Sequence, residues 1–329
     1  MRVIAGDIGG TKTRLGLFEI SAAGVVERTE RTFASADHAG LDEIVAAFIS
    51  EVKGACERAA FAIAGPVTGR TARTTNLPWL VDADAMESSL KIARVSLLND
   101  LEAVAYGIAE LGETDLVVLH PGAPGAAGNA AVIAAGTGLG MAGLFWDGSR
   151  HRPFATEGGH ADFAPLDDEQ DALRHFLAAR FDHVSTERVL SGPGLVHIFE
   201  FLLDSARNAA PPWLLEARAG GDPAAAIAER ALAGTAPLAT RALDMFVSIY
   251  GAEAANLALT MMARGGIYVG GGIAPKILAA LTRGPFLTAF LAKGRMRPVL
   301  EAMPVKVIVN DRAALLGAAR VAALAGDTR

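Results

Sequence analysis

Cysteine is nearly absent from this sequence, in which Cys56 is the only one among 329 residues. An internal disulfide needs two cysteines, and a cysteine-based zinc cluster needs several, so both are excluded. A chain that does without disulfides fits a reducing compartment.

An excess of positive charge is also missing. The chain has 30 Lys and Arg residues against 36 Asp and Glu residues, which gives a formal net charge of −6. This balance argues against a surface for nucleic acid or for an anionic membrane. We therefore expect neither as a partner.

Segments typical of export or membrane insertion are missing too. The first apolar run reaches Asp7 after a few residues, which is too short for a secretory signal. The longest apolar stretch, 245–263, contains Glu253 and Asn256 and indicates a buried helix. The expected location is cytoplasmic.

The chain contains an internal duplication. In each half a strand, a glycine turn and a second strand come first; a buried strand ending in glycine follows; a strand ending in Asn-Asp then leads into a helix. The corresponding segments are 3–5, 9–10, 14–18, 61–65 and 95–107 in the first half, and 132–134, 136–138, 141–145, 267–271 and 307–317 in the second.

The second half is longer, because mainly helical material is inserted between about 168 and 263. The predicted helices are 168–181, 193–206, 223–233 and 237–263, and the predicted loops, rich in Gly and Pro, are 120–129 and 208–223. Two similar α/β halves are expected to face each other across a cleft. The predicted lobes are a small one, 1–110 plus 304–329, and a large one with the inserted helices, 111–303.

The two glycine turns resemble other nucleotide motifs but do not match them. The segment 6–13 lacks the glycine that a P-loop has immediately before Lys-Thr, and the segment 136–141 lacks the third glycine of a dinucleotide fingerprint. In both cases a strand follows where those motifs need a helix. We interpret them instead as two hairpins whose backbone N–H groups face a polyphosphate.

Several side chains fit that interpretation. Thr11 and Thr137 add hydroxyl donors, and Asp7 is the natural partner of Mg²⁺, reached through water. The run Gly270–Gly271–Gly272 would let a purine or ribose lie against bare backbone.

The Asn-Asp pair of each half is expected to open a helix as its N-cap. Asp311 is assigned this capping role alone.

The glycine turns and three further motifs give the sequence a family resemblance. The glycine turns and the Gly270–Gly272 run resemble the phosphate and adenosine motifs of the sugar kinase/actin/Hsp70 superfamily. The segments 98–100, 157–160 and 187–195 resemble the signatures of bacterial glucokinases, and the likeness runs from residue 3 to about 320.

The resemblance implies an actin-like ATPase (ribonuclease H-like) duplicated α/β fold with two lobes around a cleft. It implies ATP-dependent phosphorylation of glucose at the 6-hydroxyl, with Mg²⁺, in a homodimer. Asp100 would be the general base. The implied sugar ligands are Asn99, Asp100, Glu157, His160 and Glu187, and the implied nucleotide residues are Gly6, Asp7, Ile8, Gly9, Gly10, Thr11, Gly136, Thr137, Gly138, Gly270, Gly271 and Gly272.

The sequence departs from the family pattern at two places. Lys12 stands where bacterial glucokinases usually have Asn, which could alter contact with the nucleotide. Leu101 stands where Phe is common, which affects packing. The related repressor/open-reading-frame/kinase family has a cysteine-rich zinc motif, and one cysteine cannot supply it.

The chemistry of the motifs favours a neutral sugar. Ionised carboxylates only accept hydrogen bonds, as a polyol requires, whereas a sugar acid or phosphate would call for cations. Arg188 is the one cation within these motifs. Gly158 and Gly159 are expected to leave the backbone beside Glu157 open to a ligand.

Three alternatives remain open. An actin-like scaffold or chaperone ATPase would share the phosphate turns but has no use for the motifs at 157–160 and 187. A sugar-sensing transcription regulator would need a DNA-binding segment, for which a strand starting at residue 3 leaves no room. Another neutral hexose could replace glucose, since one hydrogen bond decides between epimers.

Overall fold

The computed structural model describes residues 1–21, 24–52, 56–75 and 77–324. Its strands are β1 (Arg2–Ile8), β2 (Lys12–Ser21), β3 (Gly24–Ala34), β4 (Arg58–Ile63), β5 (Val67–Thr68), β6 (Thr71–Arg73), β7 (Leu80–Asp82), β8 (Arg94–Asn99), β9 (Leu116–His120), β10 (Ala130–Ala135), β11 (Leu139–Trp146), β12 (His151–Thr156), β13 (Gly266–Gly270) and β14 (Val305–Ile308). Its α-helices are α1 (Leu41–Val52), α2 (Ala83–Leu90), α3 (Asp100–Gly107), α4 (Asp168–Ala178), α5 (Gly192–Ser205), α6 (Pro212–Gly220), α7 (Pro223–Ala233), α8 (Pro237–Met261), α9 (Leu278–Leu281), α10 (Pro285–Leu291), α11 (Arg297–Glu301) and α12 (Ala313–Leu324).

The chain divides into two compact units, Met1–Gly112 with Asn310–Arg329, and Glu113–Val309. The first unit contains a five-stranded sheet in the order β3-β2-β1-β4-β8, and a small sheet β5-β6-β7. The second contains a six-stranded sheet in the order β12-β11-β10-β13-β14-β9.

The strand orders confirm the internal duplication. Each large sheet starts with two antiparallel hairpin neighbours, and the third strand then pairs in parallel with a fourth and the fourth with a fifth. Thus β1, β2, β3, β4 and β8 of the first unit correspond to β10, β11, β12, β13 and β14 of the second. The additional strand β9 pairs antiparallel with β14.

The predicted lobe boundary near residue 304 is wrong. Strand β14 was expected to return to the small lobe, but it hydrogen-bonds to β13 and β9 of the second sheet. The chain re-enters the first unit at Asn310, and helix α12 belongs to that unit. Residues 325–329 of the predicted range lie outside the described residues.

The inserted helices lie where the sequence predicts them, with one addition. The predicted loop 208–223 contains helix α6. Pro212 stands at its first position, where a missing N–H costs nothing, and Gly221 ends it in the left-handed conformation. The proline and glycine that suggested a loop are in fact the start and stop signals of a helix.

Separate cores stabilise the two units. In the second unit α8 is central, because both its flanks are apolar and most of its residues are buried against the sheet and the neighbouring helices. In the first unit one core lies on the α1–α2 face of the sheet, and the other lies under α3 and α12. Helices α3 and α12 touch closely, since a side chain on Gly107 would meet the carbonyl oxygen of Ala313 at 2.0 Å.

Candidate active site

The glycine turn of the first unit joins β1 to β2 and is held by a serine from a distant segment. Within the turn, the N–H of Gly9 donates to the carbonyl of Lys12 (3.0 Å). Ser35 binds it from behind: its N–H donates to the carbonyl of Thr11 (3.0 Å), and its hydroxyl donates to the carbonyl of Gly9 (2.8 Å). The hydroxyls of Ser35 and Thr13 are 3.0 Å apart, and both residues are fully buried. The turn therefore has a fixed shape, with Thr11 exposed on it.

Asp7 stands at the end of β1, directly opposite Arg14 in the β1–β2 ladder. Burial raises the pKa of Asp7 to about 6; Arg14 lowers it, and the carboxylates of Asp100 and Asp311 raise it further. Three acidic groups of this unit thus share one electrostatic environment. A cation at Asp7 would relieve their repulsion.

A magnesium ion fits this environment only together with other ligands. The described residues contain no group of three or more His, Cys, Asp or Glu side chains placed to hold a metal. Mg²⁺ commonly binds through one or two carboxylates, water and substrate phosphates. Asp7 can therefore serve as one partner of a Mg²⁺ that arrives with a nucleotide.

Asn99 and Asp100 lie at the junction of β8 and α3. The side chain of Asn99 caps the helix, as predicted, because its Oδ1 accepts from the N–H of Leu101 (2.9 Å). Its Nδ2 donates to the carbonyl of Gly65 (3.4 Å). The carboxylate of Asp100 also accepts from the N–H of Leu101 (2.9 Å). Asp100 is half-buried and is the first residue of α3, at the positive end of the helix dipole.

In the duplicated pair, Asn310 is used as Asn99 is, but Asp311 has a different partner from Asp100. Asn310 accepts from the N–H of Arg312 (2.8 Å), whereas the carboxylate of Asp311 accepts from Arg14 (2.9 Å). The helix α12 itself begins at Ala313. The prediction that Asp311 caps this helix is therefore wrong. The hydrogen bond from Arg14 lowers its pKa, and its side chain is 77% exposed.

The glycine turn of the second unit joins β10 to β11. The N–H of Gly136 donates to the carbonyl of Gly138 (2.8 Å), and the N–H of Gly192 donates to the carbonyl of Gly136 (2.8 Å). A methyl group added to Gly136 would meet no atom within 4 Å, and Thr137 is exposed. This turn has an open side, as a phosphate cradle requires.

Glu187 contacts this turn directly. Its Oε2 accepts from the N–H of Leu139 (2.9 Å), the residue that follows the turn. Its own carbonyl accepts from the hydroxyl of Ser191 (2.8 Å), and the same hydroxyl caps α5 by accepting from the N–H of Gly194 (3.0 Å). The segment that precedes α5 thus brings a carboxylate to the second glycine turn.

Glu157 precedes a single 3-10 turn, Gly158–His160, in which Gly159 packs against the same residue Leu139. The two side chains are exposed, with His160 Nε2 3.9 Å from Glu157 Oε2. The expectation that the two glycines leave the backbone open is wrong. A side chain on Gly159 would meet the carbonyl oxygen of Leu139 at 2.0 Å, and one on Gly158 would meet the sulfur of Met141 at 2.8 Å. The glycines instead let this segment pack tightly against β11.

The three glycines at the end of β13 differ in their surroundings. Gly270 is buried in the strand, and Gly271 has a φ of +82° and lies so close to β10 that a side chain would meet the carbonyl oxygen of Ala135 at 2.3 Å. Gly272 is exposed and has open space around its Cα. Gly271 is exposed too, but its Cα faces β10, so Gly272 fits best the bare backbone expected for a purine or ribose.

Tyr250 of α8 connects the ends of β10 and β13. Its hydroxyl accepts from the N–H of Ala135 (3.1 Å) and lies within donor distance of the carbonyls of Gly270 (3.1 Å) and Ile133 (3.3 Å). The residue is fully buried, and burial raises its pKa, so the hydroxyl stays neutral. It holds together the strands from which two of the predicted nucleotide segments emerge.

The model of the glucokinase family matches residues 4–325 of the chain. The chain belongs to the glucokinase family.

Individual glucokinases are similar to this chain over nearly its whole length. The chain is 42% identical to the glucokinase of Nostoc sp. (strain PCC 7120) over 337 residues, which covers 98% of each protein. It is 39% identical to the glucokinase of Aromatoleum aromaticum, with 99% of this chain and 96% of the relative covered. Among solved structures, a glucokinase from an Antarctic psychrotroph superposes with a TM-score of 0.87 at 30% identity, covering 98% of both chains.

Membership in the glucokinase family confirms the bacterial glucokinase resemblance, the actin-like ATPase fold and the assignment as an enzyme. Its activity is that of a glucokinase, the phosphorylation of glucose with ATP. Among the residues that the structure describes, no helix combines the length and the apolar character that crossing a membrane requires.

The predicted glucokinase residues form one group in each unit. Asp7, the 9–11 turn, Asn99 and Asp100 belong to the first unit; the 136–138 turn, Glu157, His160 and Glu187 gather around Leu139 in the second. Gly6 and Ile8 lie inside β1 with buried side-chain positions, so only their backbones could meet a ligand.

Ser35 and Tyr250 are residues that the sequence analysis missed. Neither lies in a glycine motif, and each reaches its turn from a remote segment. A buried hydroxyl leaves no periodic signal in a sequence, so no feature of the pattern singles them out.

Proposed function

We propose that the enzyme transfers the γ-phosphoryl group of ATP to the 6-hydroxyl of glucose, with Asp100 as the general base. The observation that carries this proposal is the shared environment of Asp7 and Asp100 in the first unit. Phosphoryl transfer to a hydroxyl needs a proton acceptor close to the cation that screens the phosphates.

The proposed sugar ligands are mainly hydrogen-bond acceptors. Asn99 retains unused donor and acceptor capacity beyond its two hydrogen bonds, and Glu187 uses one carboxylate oxygen for Leu139. Glu157 and His160 are exposed in the second unit and would add further contacts.

A neutral sugar is supported by the position of Arg188. Its guanidinium lies over the ring of Phe181, 4.1 Å from the centroid. This cation is therefore occupied by a cation–π contact, which leaves acceptors to dominate the second-unit group. A polyol suits such a site better than a sugar acid does.

The nucleotide would lie along the glycine turns. The N–H groups of Gly9 and Gly136 are used within their turns. The other N–H groups of the Gly9–Thr11 and Gly136–Gly138 turns and the hydroxyls of Thr11 and Thr137 would donate to the phosphates, and Gly272 would face the adenosine. Asp7 would hold Mg²⁺ through water. The ion would neutralise charge on the phosphate oxygens during transfer.

The chain's own chemistry is then proton acceptance and positioning. The Asp100 carboxylate takes the proton of the 6-hydroxyl while that oxygen attacks the γ-phosphorus, and ADP leaves with the bridging oxygen. A placed base contributes roughly 10²–10⁴-fold. The remaining acceleration comes from alignment of the two substrates.

We also propose a cytoplasmic homodimer. ATP is an intracellular substrate, and the single cysteine, Cys56, is buried, which suits a reducing compartment. Light scattering coupled to size-exclusion chromatography would report a mass of twice 34.0 kDa for the dimer.

A sugar panel tests the proposal. ADP release would be followed with glucose, mannose, fructose, glucosamine and 6-deoxyglucose, and the product would be identified by ³¹P NMR. We expect sugar-dependent ADP release with glucose 6-phosphate as product, and 6-deoxyglucose should inhibit without turnover because it lacks the attacking hydroxyl. ADP release that is equally fast without sugar would indicate an ATPase and refute the proposal.

A further inference from the structure

The segment that begins with Glu187 binds both ends of the second glycine turn. The side chain of Glu187 accepts from the N–H of Leu139 at one end, and the N–H of Gly192 donates to the carbonyl of Gly136 at the other. The contact is close: a Cβ on Gly138 would lie 2.5 Å from Oε2 of Glu187. The carboxylate and the turn are therefore in direct contact.

The bond from Leu139 to Glu187 is strong for its type. Its acceptor is a carboxylate, and charge-assisted hydrogen bonds are roughly twice as strong as neutral ones. A carboxylate has about four acceptor sites on two oxygens. Glu187 can therefore hold Leu139 and accept from a ligand hydroxyl at the same time.

We propose that Glu187 is a positioning residue for the Gly136–Gly138 turn, so that one carboxylate couples sugar binding to nucleotide binding within the second unit. The positioning role rests on the contacts above; the coupling rests also on the proposed sugar-ligand role. Coupling of this kind is reciprocal, since a sugar that fixes the carboxylate also fixes the turn.

The test measures binding of Mg²⁺–AMP-PNP by calorimetry without any sugar, a readout that a pure sugar ligand would not change. We expect Glu187→Ala to weaken this binding about tenfold or more. Glu187→Gln should weaken it less, because the amide oxygen can still accept from Leu139.

The matched control is Glu157→Ala, which removes another predicted sugar ligand. The side chain of Glu157 is 88% exposed and makes no hydrogen bond to the turn in the described residues. This control should bind AMP-PNP as the wild type does. Equal AMP-PNP affinity of Glu187→Ala and wild type would overturn the positioning role, even if glucose binding is lost.

A reciprocal variant tests the same contact from the side of the turn. In Gly138→Ala the methyl group displaces the carboxylate of Glu187, so glucose binding measured without nucleotide should weaken several-fold. Gly136→Ala, whose methyl meets open space, should leave glucose binding unchanged. Unchanged glucose affinity in Gly138→Ala would overturn the coupling. A wild type that binds nucleotide but no glucose would refute the proposed function and still allow the positioning test.

Discussion

The hydroxyl of Tyr250 accepts a 3.1 Å hydrogen bond from the backbone N–H of Ala135, the last residue of β10. Ladder pairing between β10 and β13 ends one residue earlier, at Ala134 and Gly270. The hydroxyl thus occupies the point where the two parallel strands separate, and α8 supplies there the acceptor that the sheet no longer provides.

Tyr250→Phe should lower both stability and nucleotide affinity. The buried N–H of Ala135 would lose its partner, which costs about 1–3 kcal/mol in the free energy of unfolding. The separated strand ends should also raise the KM for ATP several-fold. Urea unfolding and steady-state kinetics measure the two effects.

Tyr268→Phe is the control for that substitution. Tyr268 lies on β13, and no hydrogen bond of its hydroxyl is present among the residues that the structure describes. Similar losses in both variants would show that the Tyr250 hydroxyl has no special role.

Gly271 and Gly272 should respond differently to alanine. Gly271→Ala places a methyl 2.3 Å from the carbonyl oxygen of Ala135 at a φ of +82°, so it should lower the melting temperature clearly. Gly272→Ala meets open space and should melt like the wild type but bind ATP more weakly. Thermal melting measures the stability of both variants, and calorimetry measures ATP binding. Unchanged ATP affinity of Gly272→Ala would show that this residue is not part of the nucleotide site.

Ser35→Ala should disturb the first glycine turn without replacing any residue that is proposed to bind a ligand. It removes the donor to the carbonyl of Gly9 and the partner of the Thr13 hydroxyl, at a cost of about 1 kcal/mol per hydrogen bond. We expect a higher KM for ATP and little change in the KM for glucose. Ser50→Ala, which removes an exposed hydroxyl bond within α1, is the control. Equal kinetics of the two variants would contradict the role of Ser35.

Asp7 should make stability depend on pH in the protein free of metal and nucleotide. Its pKa is raised to about 6 by burial and by Asp100 and Asp311, with Arg14 opposing, so the folded state binds this proton more tightly than the unfolded chain. The stabilisation is present below the unfolded pKa near 4 and is lost as the pH rises to about 6.

Comparison with Asp7→Asn isolates this effect. Since a tenfold change in proton affinity corresponds to about 1.4 kcal/mol, the variant should gain up to about 3 kcal/mol relative to wild type between pH 4 and pH 7. Denaturant unfolding across that range measures it. A difference that stays constant with pH would contradict the assignment.

Local patterns made much of the fold predictable. Apolar alternation around short glycine turns defines both hairpins, and the same order of segments in each half predicts the duplicated sheets. Helices α7 and α8 begin at the prolines that the sequence marks, Pro223 and Pro237. These signals lie within a few residues of the structure that they specify.

What the sequence could not predict depends on remote partners. Strand β14 resembles β8 locally, but its place in the second sheet is decided by pairing with β13 and β9. Asp311 repeats the motif of Asp100, yet Arg14 from β2 takes its carboxylate. The sequence predicts an open backbone beside Glu157, but Met141 lies against Gly158 and the carbonyl of Leu139 lies against Gly159.

Asp100 and Asp311 occupy equivalent positions of the duplication but have different partners, which allows the most direct test of the mechanism. Asp100→Asn and Asp311→Asn make the same chemical change at duplicated positions of one unit. Transfer of phosphate from labelled ATP to glucose in a single turnover reports the chemical step for each.

We predict that Asp100→Asn slows this transfer by roughly 10²–10⁴-fold, because the proton acceptor is lost. Asp311→Asn should stay within a few-fold of wild type and lose less than about 1 kcal/mol of stability, since its exposed ion pair with Arg14 contributes little. Equal losses of transfer rate in two equally stable variants would contradict Asp100 as the general base.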